Sequence, residues 1–91
     1  MKYRKRPMQG SKWKAVVDIV DDFQIQDFPK MSFRVGVLYD EKEEPWIAVG
    51  FFHGRTYRYA AMDAETAKKL RGFIKEAIEV AEGEAEVVEE E

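Results

Sequence analysis

Hydrophobic and polar positions alternate through most of the first sixty residues, with the period of two that is typical of β-strands. In the run WKAVVDIV, residues 13–20, Trp13 and Val17 fall on one side and Lys14 and Asp18 on the other. The runs FQIQDF, MSFRVGVLY, PWIAVGFF and RTYRYAA continue the alternation. We therefore expect four or five strands in this part of the chain.

Short polar segments separate these runs and predict how the strands connect. Asp21 and Asp22 favour a turn or a bulge, because short acidic side chains bond to the local backbone. DEKEEP, residues 40–45, predicts a charged loop. The sequence His53-Gly54 favours a tight hairpin turn, since glycine tolerates a positive φ angle.

The pattern changes to helical spacing after Asp63, whose carboxylate is a good N-cap. Small and aliphatic residues recur every three or four positions, namely Ala64, Ala67, Leu70, Ile74, Ala77, Ile78 and Ala81. Gly83 is expected to cap the C-terminal end of this helix. The chain is therefore predicted to be α+β: an antiparallel meander of four to five strands packed against one C-terminal helix, in the order β-β-β-β-α, within a single domain over residues 12–83.

Charge is unevenly distributed along the 91 residues. Residues 1–75 carry a net +5 and residues 76–91 a net −8, which gives −3 overall. The first fourteen residues contain six cations and no acid, namely Lys2, Arg4, Lys5, Arg6, Lys12 and Lys14. We expect residues 1–11 to form a flexible basic arm and residues 84–91 a disordered acidic tail.

Few residues suited to chemistry are present. The chain has no cysteine and a single histidine, His53, so it lacks the ligands of an ordinary zinc site. It contains no nucleophile elbow, GxGxxG or Walker sequence. We expect no enzymatic activity, no cofactor and no small-molecule substrate. No apolar run approaches the ~18 residues that span a bilayer, and the basic start does not lead into a signal sequence; a cytoplasmic protein is predicted.

The basic arm suggests contact with nucleic acid, because cations that neutralise phosphates release condensed counterions. Tyr3 and Trp13 are interleaved with the cations and offer rings on which unpaired bases can stack. Arg34, Arg55 and Arg58 extend the basic stripe over the exposed face of the sheet in this hypothesis. The alternative is that the arm only keeps the protein soluble and that Trp13 belongs to the core.

Two further features suggest interaction surfaces. Phe51 and Phe52 are adjacent, so in a strand one ring points away from the helix, which favours a homodimer or another partner there; a bulge that places both rings inside is the alternative. The acidic tail can mask the arm, bind a basic partner or be inert.

The strands followed by a helix that begins with MDAETAKKL resemble the single-stranded-DNA-binding transcriptional coactivator family. That family has a four-stranded sheet before one helix, a basic arm upstream, and dimers that bind melted DNA. The resemblance covers the order of elements over residues 1–82. RTYRYAAMD stands where the family has a lysine- and glycine-rich turn, so no binding residue is carried over. The helix is also similar to those of small phage and plasmid proteins, including anti-CRISPR inhibitors.

The sequence thus predicts a non-enzymatic, dimeric protein that binds single-stranded or distorted nucleic acid. The predicted phosphate contacts are the six cations of the N-terminal segment, with Arg34, Arg55 and Arg58, and the predicted stacking residues are Tyr3 and Trp13. The alternative is an inhibitor of phage or mobile-element type that blocks a host nucleic-acid-binding complex by protein–protein contact.

Overall fold

Five strands and one helix follow each other in the computed structural model, which describes residues 2–89. The elements are β1 (Lys5–Pro7), β2 (Ala15–Gln26), β3 (Met31–Tyr39), β4 (Pro45–His53), β5 (Thr56–Met62) and α1 (Ala64–Ala81). All neighbouring strands are antiparallel, and their order in the sheet is their order in the chain. The predicted α+β fold, a meander followed by a C-terminal helix, is confirmed. No helix within residues 2–89 is long and apolar enough to cross a membrane.

Strand β2 is a single long strand that passes through the predicted break at Asp21 and Asp22. Its pairing with β3 shifts register three times, and one shift falls between Val20 and Phe23, where the two aspartates lie. The extra residues bulge out of the ladder without ending the strand. Residues 21–30 are all exposed, so the end of the β2–β3 hairpin projects from the molecule.

Strand β1 lies within the segment that was expected to be a flexible arm. Its three residues pair with Ala15–Val17 of β2, and the Met8 amide donates to the Lys14 carbonyl at 2.9 Å. The sequence KRP has no alternation of hydrophobic and polar residues, so the pattern does not reveal this strand. It is held at the edge of the sheet by backbone hydrogen bonds along one side. Residue 1 of the predicted arm and residues 90 and 91 of the predicted tail lie outside the described residues; residues 84–89 form neither helix nor strand.

The register divides the sheet into two faces. We call one the aromatic face; its side chains include Arg34, Leu38, Phe52, Tyr57 and Tyr59. We call the other the helix face; its side chains include Val35, Val37, Ile47, Val49, Phe51 and Met62. Phe51 and Phe52 point to opposite faces, as predicted for adjacent residues of a regular strand.

The buried core is small and lies mainly on the aromatic face. Trp13, Val16, Leu38 and Ala48 form one buried cluster, and Met8, Trp46 and Ala61 pack against it. Trp13 precedes β2, so the alternation of that strand does not determine the direction of its side chain. Its ring packs with Val16 rather than on the side of Val17. Among the residues described, no large side chain is fully buried.

Helix α1 has well-formed ends. The Asp63 carboxylate accepts from the Thr66 amide at 2.8 Å, as an N-cap does. At the other end the Gly83 amide donates to the Val80 carbonyl and the Glu84 amide to the Glu79 carbonyl. These two bonds, with a Gly83 φ of 77°, make a Schellman motif.

The helix covers only one corner of the helix face. Ala67, Leu70 and Ile74 border a groove against Ile47, Val49 and Met62. No residue of α1 is buried, and Phe73, Ile74 and Ile78 are at least half exposed. The apolar side of the helix and the adjoining valines of the sheet are therefore incompletely covered.

The β3–β4 loop is organised by one carboxylate. Asp40 Oδ1 accepts from the amides of Lys42 and Glu44 at 2.9 Å each, and Oδ2 accepts from the Trp46 indole at 3.0 Å. The indole bond, followed by the backbone amides, holds the pKa of Asp40 below its usual value. The loop that the sequence predicts to be charged is thus a structured turn that positions Trp46.

Candidate nucleic-acid interface on the aromatic face

A row of small residues crosses the aromatic face. Gly36, Ala48 and Ala61 face one another on β3, β4 and β5, and Asp18 of β2 ends the row. Glycine and alanine extend no more than one carbon above the sheet, so the larger side chains on either side stand as walls. The resulting cleft has a volume of about 230 Å³.

Tyr57 and Tyr59 line one wall of the cleft and belong to a strip of aromatic rings. The ring centroids of Phe52 and Tyr57 are 4.4 Å apart, and Tyr57 stacks on Tyr59 at 5.8 Å with an interplanar angle of 20°. The Trp13 indole donates to the Tyr59 hydroxyl at 3.0 Å. We call Phe52, Tyr57 and Tyr59 the aromatic strip. Such partly exposed, packed rings are the kind of surface on which unpaired bases stack.

Arg34 lies beside this strip and is held there. Its guanidinium carbon is 5.0 Å from the Phe52 ring centroid and 5.7 Å from that of Tyr57. Its Nε donates to the Asp21 carbonyl at 3.3 Å. The side chain is exposed, so a positive charge is fixed next to stacking surfaces and remains accessible to a phosphate.

The opposite end of the cleft carries an ion pair between neighbouring strands. Arg6 of β1 donates to Oδ2 of Asp18 from Nη2 at 2.8 Å and from Nε at 3.3 Å. Both side chains line the cleft. This end therefore presents guanidinium donors and a carboxylate acceptor side by side.

The Tyr57 hydroxyl is neutral at physiological pH. Partial burial raises the pKa of Tyr57, and Arg34 opposes this while Tyr59 and Asp18 add to it. The tyrosine therefore carries no negative charge that would repel a phosphate, and its hydroxyl remains a donor.

The structure brings together three of the residues predicted from sequence. Arg6, Trp13 and Arg34 all line the cleft. Trp13, however, is only 7% exposed, so its ring is part of the core and offers little surface for stacking. Lys2, Tyr3, Arg4, Lys12 and Lys14 are exposed, and the Lys12 ammonium lies 5.1 Å from the Trp13 ring centroid.

The remaining predicted cations lie elsewhere. Arg58 is paired with Phe51 and lies on the helix face, opposite to Arg34, so the two arginines do not form one stripe. Lys5 also belongs to the helix face, where its ammonium lies 3.8 Å from the Tyr39 ring centroid. Arg55 lies in the β4–β5 turn.

Sequence reasoning did not assign the aromatic strip to the site. The alternation in RTYRYAA does place Tyr57 and Tyr59 on one side of β5, and this was the available signal. What the pattern does not show is that Phe52 and Arg34, from two other strands, lie beside them.

Comparisons of the chain with protein-family models, with curated proteins and with solved structures find no match. The likeness to the coactivator family and to small phage proteins therefore stays a prediction from sequence. Within residues 2–89 no three His, Asp or Glu side chains are grouped so as to hold a metal ion.

Proposed function

We propose that this protein is a non-enzymatic nucleic-acid-binding protein that contacts single-stranded or distorted DNA or RNA with its aromatic face, and that it acts in the cytoplasm as a homodimer. The observation that carries the proposal is the aromatic strip with Arg34 fixed beside it. Stacking on aromatic side chains contributes about 1–3 kcal/mol per base and tolerates any sequence.

The distribution of charge supports the same surface. Arg34 flanks the strip at 5.0 Å from Phe52, and Arg6 lies at the other side of the cleft. Lys2 and Arg4, which directly precede β1, are also exposed, so they add positive charge next to the start of that strand. A strand that stacks its bases on the tyrosines would have cations for its phosphates at both sides.

A homodimer is supported by the surface that the isolated chain leaves open. The chain exposes 7968 Å², whereas a compact monomer of 10.6 kDa exposes about 5,500 Å². The Cα radius of gyration is 16.4 Å, compared with about 12 Å for a compact domain of this length. This excess is large enough to supply one partner's half of an obligate interface, which buries about 2,000–5,000 Å² in total.

We infer that the two copies of the proposed dimer meet through α1. Its apolar side chains Phe73, Ile74 and Ile78 are exposed next to the uncovered part of the helix face. Its cations precede its last acids: Lys68, Lys69, Arg71 and Lys75 come before Glu76 and Glu79. Antiparallel pairing of two α1 helices around a two-fold axis would place the basic half of each against the acidic end of the other. The aromatic face then remains free for nucleic acid.

A salt titration tests the function. A fluorescein-labelled oligothymidylate is mixed with the intact protein, and the dissociation constant is measured by anisotropy at increasing salt. We expect binding at low salt that weakens as salt is added: the logarithm of the association constant should fall linearly with the logarithm of the salt concentration, with a slope of about −0.7 for each phosphate neutralised. A folded protein that binds no oligonucleotide at low salt would contradict the proposal.

The alternative function, inhibition of a host nucleic-acid-binding complex by protein–protein contact, is favoured by a different observation. Phe28 at the end of the β2–β3 hairpin is 94% exposed, and Phe23 and Ile25 nearby are also exposed. Apolar side chains at a projecting tip are suited to contact with another protein. The alternative gains support if the oligonucleotide titration fails and the chain instead lowers the nucleic-acid affinity of a purified host complex, with Phe28→Ser abolishing that effect.

A further inference from the structure

The cleft on the aromatic face has the size of a site for one planar ring system. Its volume is about 230 Å³, below the ~300–1,000 Å³ of pockets for drug-sized ligands. Its floor is made by Gly36 and Ala48, and Leu38 and Tyr59 rise on either side. A flat heterocycle can therefore lie between the walls, whereas a sugar–phosphate unit has to remain outside.

The polar end of this cleft has a definite hydrogen-bonding pattern. The Nε and Nη2 atoms of Arg6 both donate to Oδ2 of Asp18. No described residue donates to Oδ1. An ionised carboxylate only accepts and has about four lone-pair sites. The end of the cleft therefore offers a carboxylate oxygen with unused acceptor capacity, next to a guanidinium that has further N–H donors.

Among the nucleobases, guanine fits this pattern best. Its Watson–Crick edge carries two adjacent donors, N1–H and N2–H, followed by the O6 acceptor. Adenine and cytosine each present a ring-nitrogen lone pair next to their amino group, and thymine and uracil flank their single N–H with two carbonyl oxygens. A carboxylate that takes one N–H on each of its two oxygens is therefore matched by guanine, because each of the other bases would bring a lone pair against one of those oxygens.

We propose that the cleft binds the guanine base of an unpaired strand, with Asp18 Oδ1 accepting from N2–H, Oδ2 accepting from N1–H, and Arg6 turning its longer Nε–H bond of 3.3 Å from Oδ2 to O6. The ring system lies over Gly36 and Ala48, and its sugar–phosphate backbone passes towards Arg34. This inference rests on the proposed function, and it adds a base preference to a surface that otherwise stacks any base.

A set of oligothymidylates with one central substitution tests the base preference. The parent strand, and the strands with a single guanine, adenine or cytosine, are compared by anisotropy at one salt concentration. A bidentate contact to a base edge discriminates by about 1–3 kcal/mol, so we expect the guanine strand to bind about tenfold tighter than the other three. Equal affinity for all four strands overturns the guanine site and leaves the proposed function standing. Failure of every strand to bind overturns both.

Two matched variants locate the effect. Asp18→Asn removes the carboxylate, so the ratio of guanine to thymine affinity should fall to about one, even though loss of a negative charge tightens binding of every strand. Asp21→Asn makes the same charge change on the same strand outside the cleft, and it should keep the full ratio. An unchanged ratio in Asp18→Asn overturns the assignment. Thermal unfolding checks that both variants are folded.

Free nucleotides distinguish a site for the base alone from a site that needs the strand. In a Trp46→Phe variant, Trp13 at the cleft is the only indole, so its fluorescence reports on occupancy of the cleft. Quenching by guanosine 5′-monophosphate and not by cytidine 5′-monophosphate shows that the base alone is recognised. Quenching only by the guanine-containing strand shows that the strand delivers it. Equal quenching by both nucleotides and by all strands overturns the preference.

Discussion

The ring of Tyr57 lies flat over Gly50, on the neighbouring strand of the aromatic face. A Cβ atom built at Gly50 would overlap this ring and would lie 2.6 Å from Tyr57 Cε1. Glycine at position 50 is therefore what allows the tyrosine to lie against the sheet and stack on Tyr59. The main stacking surface of the proposed site depends on a residue that has no side chain.

Gly50→Ala should displace the Tyr57 ring. We expect a loss of about 1–3 kcal/mol in the free energy of unfolding, as is usual for overpacking, and weaker oligonucleotide binding. Gly72→Ala is the matched control: nothing lies within 4 Å of a Cβ there, and alanine in a helix is favoured over glycine by about 1 kcal/mol. In urea denaturation the free energy of unfolding should therefore fall for Gly50→Ala and rise for Gly72→Ala. A stable, fully binding Gly50→Ala protein would contradict this account of the site.

Arg34 and Arg58 allow the binding face to be identified. Arg34→Gln should weaken oligothymidylate binding and reduce the slope of the salt dependence by about 0.7, the value for one phosphate contact on a single strand. Arg58→Gln removes an arginine that is also exposed, from the helix face, and should leave the slope unchanged. The two variants are compared by anisotropy over the same salt range. A larger effect at Arg58 would move the nucleic-acid surface to the other face.

Phe73→Glu should disrupt the proposed dimer. Phe73 is 66% exposed on α1, and a carboxylate there would be buried without a partner in a helix-to-helix interface. Sedimentation equilibrium should show a shift from dimer to monomer. Phe28→Glu, an equally drastic change at the hairpin tip, should leave the mass unchanged. A wild-type protein that is monomeric at high concentration would eliminate the dimer while leaving the aromatic face intact.

The pH dependence of stability should report on Asp40 and Asp63. Hydrogen bonds from Trp46 and from Thr66 respectively hold the pKa of each carboxyl below the usual 3.8 in the folded protein. A pKa that is lower in the folded state stabilises the fold above the unfolded value and loses this contribution as pH falls through the folded value. We therefore expect urea midpoints to be steady above about pH 5 and to fall below about pH 4.

Removal of the main hydrogen bond to Asp40 should reduce this loss. In Trp46→Phe the pKa of Asp40 returns towards 3.8, so the fall of the midpoint below pH 4 should be shallower than in the wild type, apart from the general loss of packing. An identical slope in the two proteins would show that the indole bond does not set the acid sensitivity.

Gly83 ends the helix with a positive φ of 77°. Gly83→Ala should cost about 1 kcal/mol, because an L-residue with a Cβ is strained in the left-handed region. Gly83→Asn should cost less, since asparagine visits this region more readily. Thermal unfolding of the two variants should rank them in that order, and equal stability would argue against the Schellman motif.

Alternation and helical spacing were sufficient for the order of the four long strands and the helix and for the fold class. They were insufficient for the register of β2 against β3. Val17 pairs with Val37, but Phe23 pairs with Phe33, because the intervening bulges add residues to one strand only. A bulge can be recognised at Asp21 and Asp22, but how many residues it inserts depends on the finished ladder.

The residues that form the cleft were harder to predict from the sequence than the fold was. Gly36, Ala48 and Tyr59 come from three strands, and their proximity depends on that register. Strand β1 was not predicted, because its three edge residues are held by backbone hydrogen bonds alone. The ion pair between Arg6 and Asp18 depends on this strand, so it was not predicted either. The basic character of the N-terminal segment was visible from the start, whereas its attachment to the sheet was not.

The cleft exists because Gly36 and Ala48, which line it, have no side chain or a single methyl group. Their backbone groups still form the ladder, but Ala48 belongs to the buried cluster with Trp13, Val16 and Leu38, so an isoleucine or leucine there would fill the cavity and also overpack the core. At Gly36 even a Cβ would lie 2.8 Å from the Val17 carbonyl oxygen. A substitution that changes what this face can hold would therefore also change the stability of the sheet beneath it.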